Sequence, residues 1–238
     1  MSYGIQVFSK DRTLQVDEKY YNLYLLRKVS FVMVATGTST SNYLSGAVTY
    51  SASSISNMIA FRCDTVGVQV LVFKGSNNDY YLTTSAPCNL TIYEFGKIID
   101  APSNSSYGLK VWTVDGTISF DSTKLPLRVI SSLTYDIDQN GNSSGTQPID
   151  VSIPTGRIYA TCIAQMTTNF VGIAGPIGPG GQRIYYYRCG TPGSILINSS
   201  TLRIVGALAY KYQGSTQAGI YDYGKGTVNG FVIDVTDY

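Results

Sequence analysis

The sequence predicts an all-β protein built as two tandem β-sandwich-like domains from an internal duplication. Three observations lead there. The stretch from Tyr107 to Ser122 reads as a β-hairpin, with Leu109, Val111, Ile118 and Phe120 alternating with polar residues as half-buried strands require. Asp115-Gly116 supplies the turn, because Gly accepts positive φ without steric cost. The same stretch also occurs near the start of the chain. Tyr3-Gly4-Ile5-Gln6-Val7-Phe8 matches Tyr107-Gly108-Leu109-Lys110-Val111-Trp112 without a gap, and Asp11, Thr13, Leu14, Val16 and Asp17 match Asp115, Thr117, Ile118, Phe120 and Asp121, all at an offset of 107 − 3 = 104 residues. A repeat of roughly 100 residues is about one domain. Finally, no stretch sustains helical periodicity over about ten residues.

The elements follow in order. After the first hairpin, residues 20–35 are rich in Tyr, Leu, Val and Phe and predict one or two strands. Residues 36–45 form a polar loop by composition. Strands are expected at 47–50, 58–63, 66–73, 80–84 and 90–95, with a turn at Lys74-Gly75-Ser76-Asn77-Asn78-Asp79. The expected division is a first domain at 1–100, a linker at 101–106 and a second domain at 107–238 with longer loops. In the second half strands are expected at 128–135, 149–153, 157–164, 184–188, 195–197 and 202–210. Ile92-Tyr93-Glu94-Phe95-Gly96-Lys97 is echoed by Ile220-Tyr221-Asp222-Tyr223-Gly224-Lys225 at an offset of 128, a net insertion of 128 − 104 = 24 residues in the second half. The glycine-rich segment Gly172 to Gly181 is assigned to that insertion and expected to form a mobile hairpin tip. A fainter echo of the hairpin's first strand lies at Asn229 to Val235.

Composition narrows the function. Charged residues are only 13% of the chain, against a typical quarter, while Tyr numbers 20 and Gly 24. Such a surface suits a β-protein covered by partners. The net charge is +2, and no basic run interleaves with aromatics, so nucleic-acid binding is not expected. The chain has no His, which removes the commonest general base and metal ligand. Met1-Ser2-Tyr3-Gly4 leads straight into a strand, so no signal peptide is expected, and no apolar run approaches the ~18 residues of a membrane helix. Cys63, Cys88, Cys162 and Cys189 include no CxxC pair, and free thiols are expected at all four.

The pattern Tyr-Gly-Leu-x-Val-aromatic, then Asp-Gly, then Phe-Asp-Ser over Tyr107 to Ser122 resembles the opening of a family of tail proteins of tailed bacteriophages, encoded among tail-tip and tail-fibre genes. Residues 3–17 carry it less fully, since Arg12 replaces the turn Gly and Val16 the Phe. The resemblance implies a structural role in the virion near the distal tail. It implies no catalytic residues.

Three stretches are candidate sites. Asp136, Asp138 and Asn140, followed by Gly141, imitate the first positions of a calcium loop, in which alternate side-chain oxygens converge on one cation. The twelfth position is Gln147 instead of Glu, so no metal is expected there. The triplets within Gly172 to Gly181 are too few for a collagen helix. Tyr185 and Tyr187, with Arg188 beside them, are candidates for stacking on a glycan or a partner protein. No Gly-x-Ser-x-Gly elbow appears. The expected function is therefore that of a non-enzymatic structural component of a phage virion, in the tail tip, baseplate or fibre attachment. It is expected to need no cofactor, to be made in the host bacterial cytoplasm, and to contact itself and other tail proteins. The alternatives are a receptor- or carbohydrate-binding tail module and a capsid decoration protein.

Overall fold

The computed structural model describes residues 6–8, 14–17, 22–34, 48–74, 77–137, 149–165, 169–177, 183–214 and 226–238, and their side chains except within 6–17, 135–137, 164–192 and 206–228 and at 73. The first half contains β1 (Gln6–Phe8), β2 (Leu14–Asp17), β3 (Tyr24–Met33), β4 (Val48–Ser51), β5 (Ser56–Cys63), β6 (Gln69–Lys74), β7 (Asp79–Thr84), β8 (Cys88–Gly96) and a 3-10 turn at Ile98–Asp100. The second contains β9 (Lys110–Trp112), β10 (Ile118–Asp121), β11 (Val129–Ile137), β12 (Ile149–Ser152), β13 (Tyr159–Gln165), β14 (Asn169–Ile177), β15 (Arg183–Asn198), β16 (Thr201–Gly214) and β17 (Gly226–Asp234). The fold is all-β, as the alternation predicts. Among the described residues no helix is long and apolar enough to cross a membrane.

Two antiparallel sheets carry most of these strands. One runs β3-β8-β5-β13-β17-β11. The other runs β4-β7-β6-β15-β16-β12, with β14 paired to β15. Each sheet therefore takes three strands from the first half and continues into the second. The joins are Phe61↔Thr161 and Ala60↔Cys162 between β5 and β13, and Leu71↔Gly193, Val70↔Ser194 and Gln69↔Ile195 between β6 and β15. Gly193 permits the second join, since a Cβ there would stand 2.2 Å from the Val70 carbonyl oxygen. Two separate sandwiches on a linker are thus not what the chain forms. The halves meet edge to edge because β5 and β6 each present an unpaired ladder that the second half completes, which leaves fewer exposed edges. The expected linker is itself packed. Ala101 is buried with Tyr24 and Ile98, and the Asn104 amide donates to the Thr123 carbonyl at 2.6 Å.

The two halves repeat each other in strand order and register. In the first sheet, β3-β8-β5 answers to β11-β17-β13, and in the second, β4-β7-β6 answers to β12-β16-β15. Hairpin pairs Gln6↔Asp17, Val7↔Val16 and Phe8↔Leu14 reappear as Lys110↔Asp121, Val111↔Phe120 and Trp112↔Ile118, each 110 − 6 = 104 positions on. A bulge between Leu25 and Arg27 opposite Phe95/Glu94 likewise reappears between Val129 and Ser131 opposite Ile233/Val232. The expected echo of a hairpin strand at Asn229 to Val235 falls instead in β17, a central strand in the place of β8. This equivalence sets Phe95 against Ile233, an offset of 233 − 95 = 138, so the expected match of Ile92 to Lys97 with Ile220 to Lys225 at 128 does not hold; Ile220 to Lys225 themselves lie outside the described residues.

The main core lies between the sheets. Phe61, Val70, Val72, Leu82, Leu90, Ile92, Ile204 and Val232 are fully or almost fully buried there. Because β8 lies mid-sheet, its other face is buried as well. Tyr93 and Phe95 pack with Ala160, Cys162 and Ile233 under a cover of Leu125, Leu127 and Tyr238. The Tyr238 ring lies 6.1 Å from that of Phe95, and the Arg128 guanidinium stands 4.7 Å over it. This is why β8 is buried at every position but Asn89.

The glycine-rich segment departs from expectation. Gly172 to Ile177 form β14, paired along β15, and only residues 178–182 lie outside the described ranges. Gly175 and Pro176 fall at the register shift between Ala174 and Ile177, where a strand bonded on one side tolerates a missing donor. Among the described residues β14 has no counterpart in the first half, where β5 passes to β6 through residues 64–68 alone, so it belongs to the insertion. The loop at 36–45 lies outside the described residues.

Burial pushes the phenols of Tyr24, Tyr50, Tyr80, Tyr93 and Tyr238 up, Tyr50 to about 12. The Cys162 thiol is also pushed up to about 12. A group whose folded pKa is raised supports the fold fully below its unfolded pKa and loses that support as pH rises through the folded value. Stability is therefore expected to hold to about pH 9 and to fall steeply between about pH 10 and 12. Circular dichroism followed alongside tyrosinate absorbance checks this. Tyrosines all ionising near pH 10 with the sheet signal intact would contradict it.

Candidate functional site

The most distinctive site is a cavity of about 270 Å3 between the sheets, beside the join of the two halves. It exists because the β5–β13 ladder is short. Past Phe61↔Thr161 the strands splay, and it is the Arg62 guanidinium that donates to the Tyr159 carbonyl, at 3.4 Å. Strand alternation sends Tyr159 and Thr161 of β13 inward from one side, and Phe61 and Cys63 of β5 beside them. Val68, Val70, Ser194 and Leu202 face them from the other sheet. The Tyr159 hydroxyl and the Thr161 Oγ1 are buried and have no hydrogen-bond partner among the described residues. Burial, then the Asp234 charge, pushes the Tyr159 phenol up, so it stays neutral.

The charges around the cavity are paired. Arg62 is bonded to Asp64, and Arg157 Nη1 lies 2.5 Å from Asp234 Oδ2. Burial pushes the Asp234 carboxyl up, but the Thr236 hydroxyl and amide, Arg157 and Arg128 outweigh it and hold the group below the usual carboxylate range. The lining is thus electrically neutral, with apolar walls and a few hydroxyls. Cys63 lines it too, and its neighbour Cys88 is pushed up to about 12 by burial and by the Cys63 contact, so the Cys88 thiol stays protonated. Cys63, Cys88 and Cys162 are free, as expected; the Cys189 side chain lies outside the described residues.

The second feature is the β9–β10 hairpin. Its turn is held as the Asp-Gly signal predicts, with Gly116 at φ +83° and the Thr117 amide donating to Asp115 Oδ1 at 3.3 Å. Ile118 and Phe120 pack on Tyr24, Ile98 and Ala101 of the first half, and the Tyr24 hydroxyl accepts from the Asp121 amide at 3.2 Å. Asp121 is fully buried, its second carboxylate oxygen 3.5 Å from Lys110 Nζ. The hairpin's inward set is therefore Val111, Ser119 and Asp121, while Tyr107, Leu109, Trp112 and Val114 are exposed at 89%, 53%, 53% and 108%. That corrects the expectation that Leu109 belongs to the half-buried set. A hollow of about 470 Å3 beside the hairpin, bounded by Leu23, Ile98, Ile99 and Thr117, holds no unpartnered buried polar atom among the described residues.

The sequence-predicted sites fall elsewhere. Asp136 is the penultimate residue of β11, paired to Thr227, with its side chain outside the described residues, and Asp138 and Asn140 lie outside them entirely. Among the described residues no group of three or more His, Cys, Asp or Glu could hold a metal ion. Tyr185 and Tyr187 lie on β15, opposite Ala174 and Gly172 of β14 and Gly214 and Tyr212 of β16. Their side chains, like that of Arg188, lie outside the described residues. Sequence reasoning missed Tyr159 and Thr161, because Tyr-Ala-Thr-Cys-Ile is an ordinary strand pattern. Their only signal is the pair of unpartnered hydroxyls.

No family model matches the chain, and neither a curated protein nor a solved structure does.

Proposed function

We propose that the chain is a non-enzymatic structural subunit of a tailed-phage virion, placed in the distal tail and working in several copies. The observation that carries this reading is the β9–β10 hairpin with the residues that lead into it, where Tyr107, Leu109, Trp112 and Val114 stand exposed within eight residues. The hairpin itself is anchored by the buried Asp121. Exposed apolar groups gathered on one rigid element are what an interface leaves when its partner is absent. Val32 and Val34, each 74% exposed along the sheet's edge at β3, add a second apolar strip. The resemblance of Tyr107 to Ser122 to tail proteins supplies the setting.

The test substitutes the exposed side chains. Trp112→Glu and Val114→Glu should shift the isolated protein's stability by no more than about 0.5 kcal/mol, because surface changes seldom do more. Both should sharply reduce incorporation into particles. Normal incorporation, or normal tails on particles lacking the gene, would remove this reading. The cavity's two unpartnered hydroxyls favour a second reading, a glycan-binding module of the same virion.

A further inference from the structure

We propose that the cavity beside the β5–β13 join binds a single neutral sugar ring. The inference rests on the glycan-binding reading and needs neither the tail nor the multi-copy assembly. A buried hydroxyl without a partner is costly, and this cavity holds two, on adjacent inward positions of one strand. Tyr159 is only 5% exposed and Thr161 only 1%. One or two ordered waters of about 30 Å3 each could serve those hydroxyls, and the rest of the 270 Å3 holds solvent that a ligand can displace through the open mouth. The volume sits just under the roughly 300 Å3 at which drug-sized ligand pockets begin, which suits a ligand of one ring.

The lining selects the chemistry. Phe61, Val68, Val70 and Leu202 give the apolar wall on which the C–H face of a sugar can lie. The Tyr159, Thr161 and Ser194 hydroxyls can each donate or accept, as a ring bearing several hydroxyls demands. An anion is disfavoured, because both nearby guanidiniums are already committed to Asp64 and Asp234. The mouth is open to solvent at Val66, Gly156, Arg157 and Ser199, so the ring can be a free monosaccharide or the terminal unit of a longer glycan.

The test uses the full chain with methyl glycosides of neutral hexoses and N-acetylhexosamines, and with glucuronate and inorganic phosphate as anionic probes. Saturation-transfer NMR and calorimetry should find a neutral glycoside with Kd on the order of 1 mM, the affinity expected for so few heavy atoms. Tyr159→Phe and Thr161→Val should each weaken it about tenfold, since each leaves a sugar hydroxyl unpaired. Without sugar, Tyr159→Phe should melt no lower than the parent, because it deletes a hydroxyl that has no partner. An oligosaccharide ending in the same sugar should compete if the site takes glycan ends, and fail to compete if it takes only the free sugar. The site is overturned if every neutral glycoside binds with a Kd weaker than about 10 mM, if the anions bind better, if Tyr159→Phe keeps full affinity, or if that variant melts lower without sugar. Sugar binding that survives alongside unchanged adsorption of particles carrying Tyr159→Phe would keep the site and remove the receptor role.

Discussion

Phe61→Ala is expected to destabilise the whole chain by about 3–5 kcal/mol and to unfold both halves in one transition. Phe61 is 1% exposed and lies at the join itself, opposite Thr161. Its ring belongs to the core cluster that also takes Leu133, Tyr159, Ile163, Leu202, Ile204 and Val232 from the second half. Removing it leaves a cavity that the surrounding sheets close only in part, so the cost includes lost contacts as well as lost burial. Had the halves been separate domains, a change in β5 would unfold the first and leave the second standing. Here the sheets and the core are shared, so probes in either half should report the same midpoint. Chemical denaturation followed by hydrogen exchange of the β13 and β17 amides, which reads the second half, and of the β8 amides, which reads the first, decides the matter. Two separated transitions would show that the join does not couple the halves. The same coupling predicts that residues 1–104 expressed alone do not fold, because β5 and β6 would both be left as open edges.

Much of the fold was legible because strands write their period into the sequence. β6, with Val68, Val70 and Val72 turned inward, alternates plainly, and the two hairpins declare themselves by shared residues and turn chemistry. The arrangement of the halves was not legible. The pairing of Phe61 with Thr161 joins residues 161 − 61 = 100 apart, and alternation is the same whether a strand's neighbour lies in its own half or the other. Alternation also leaves open which face is inward. On β9 and β10 the apolar set looked like the core face, yet Ser119 and Asp121 are the buried residues, because Tyr24 and Thr123 give their polar atoms partners. The cavity was invisible for a related reason. Tyr159 and Thr161 are common strand residues, and only the early end of a ladder shows that nothing meets their hydroxyls. β14 was misread as a loop because its Gly and Pro content suggests one, although at a bulged strand bonded on one side those residues cost little.

Glu94→Ala is the second large effect expected, at about 3 kcal/mol. Glu94 is fully buried on β8, and its carboxylate gathers three donors: the Tyr50 hydroxyl and Arg27 Nη2 on Oε1, at 2.5 and 2.6 Å, and the Ser53 amide, 3.2 Å from Oε2. The bulge between Leu25 and Arg27 aims the guanidinium at this site, as bulges commonly re-aim a side chain. At the matching bulge of the second half, Ser131 faces Val232, so the backbone feature recurs without the charges. Arg27 is half-exposed and can turn to water when the carboxylate goes, which limits its share. Tyr50 and the Ser53 amide cannot, and leaving buried donors unpaired costs about 1–3 kcal/mol each. Tyr50→Phe alone should cost less, about 1 kcal/mol, because Glu94 keeps its other two donors. The double variant should then be more stable than the two single losses added together, by about 1 kcal/mol, since the orphaned hydroxyl is gone. Spectroscopy gives an independent reading. Burial, then Glu94, holds the Tyr50 phenol up at about 12, and in Glu94→Ala it should ionise at lower pH. Strict additivity of the two substitutions, with Tyr50 titrating unchanged, would mean that the carboxylate is not what holds β4 and the Ser53 turn against β8.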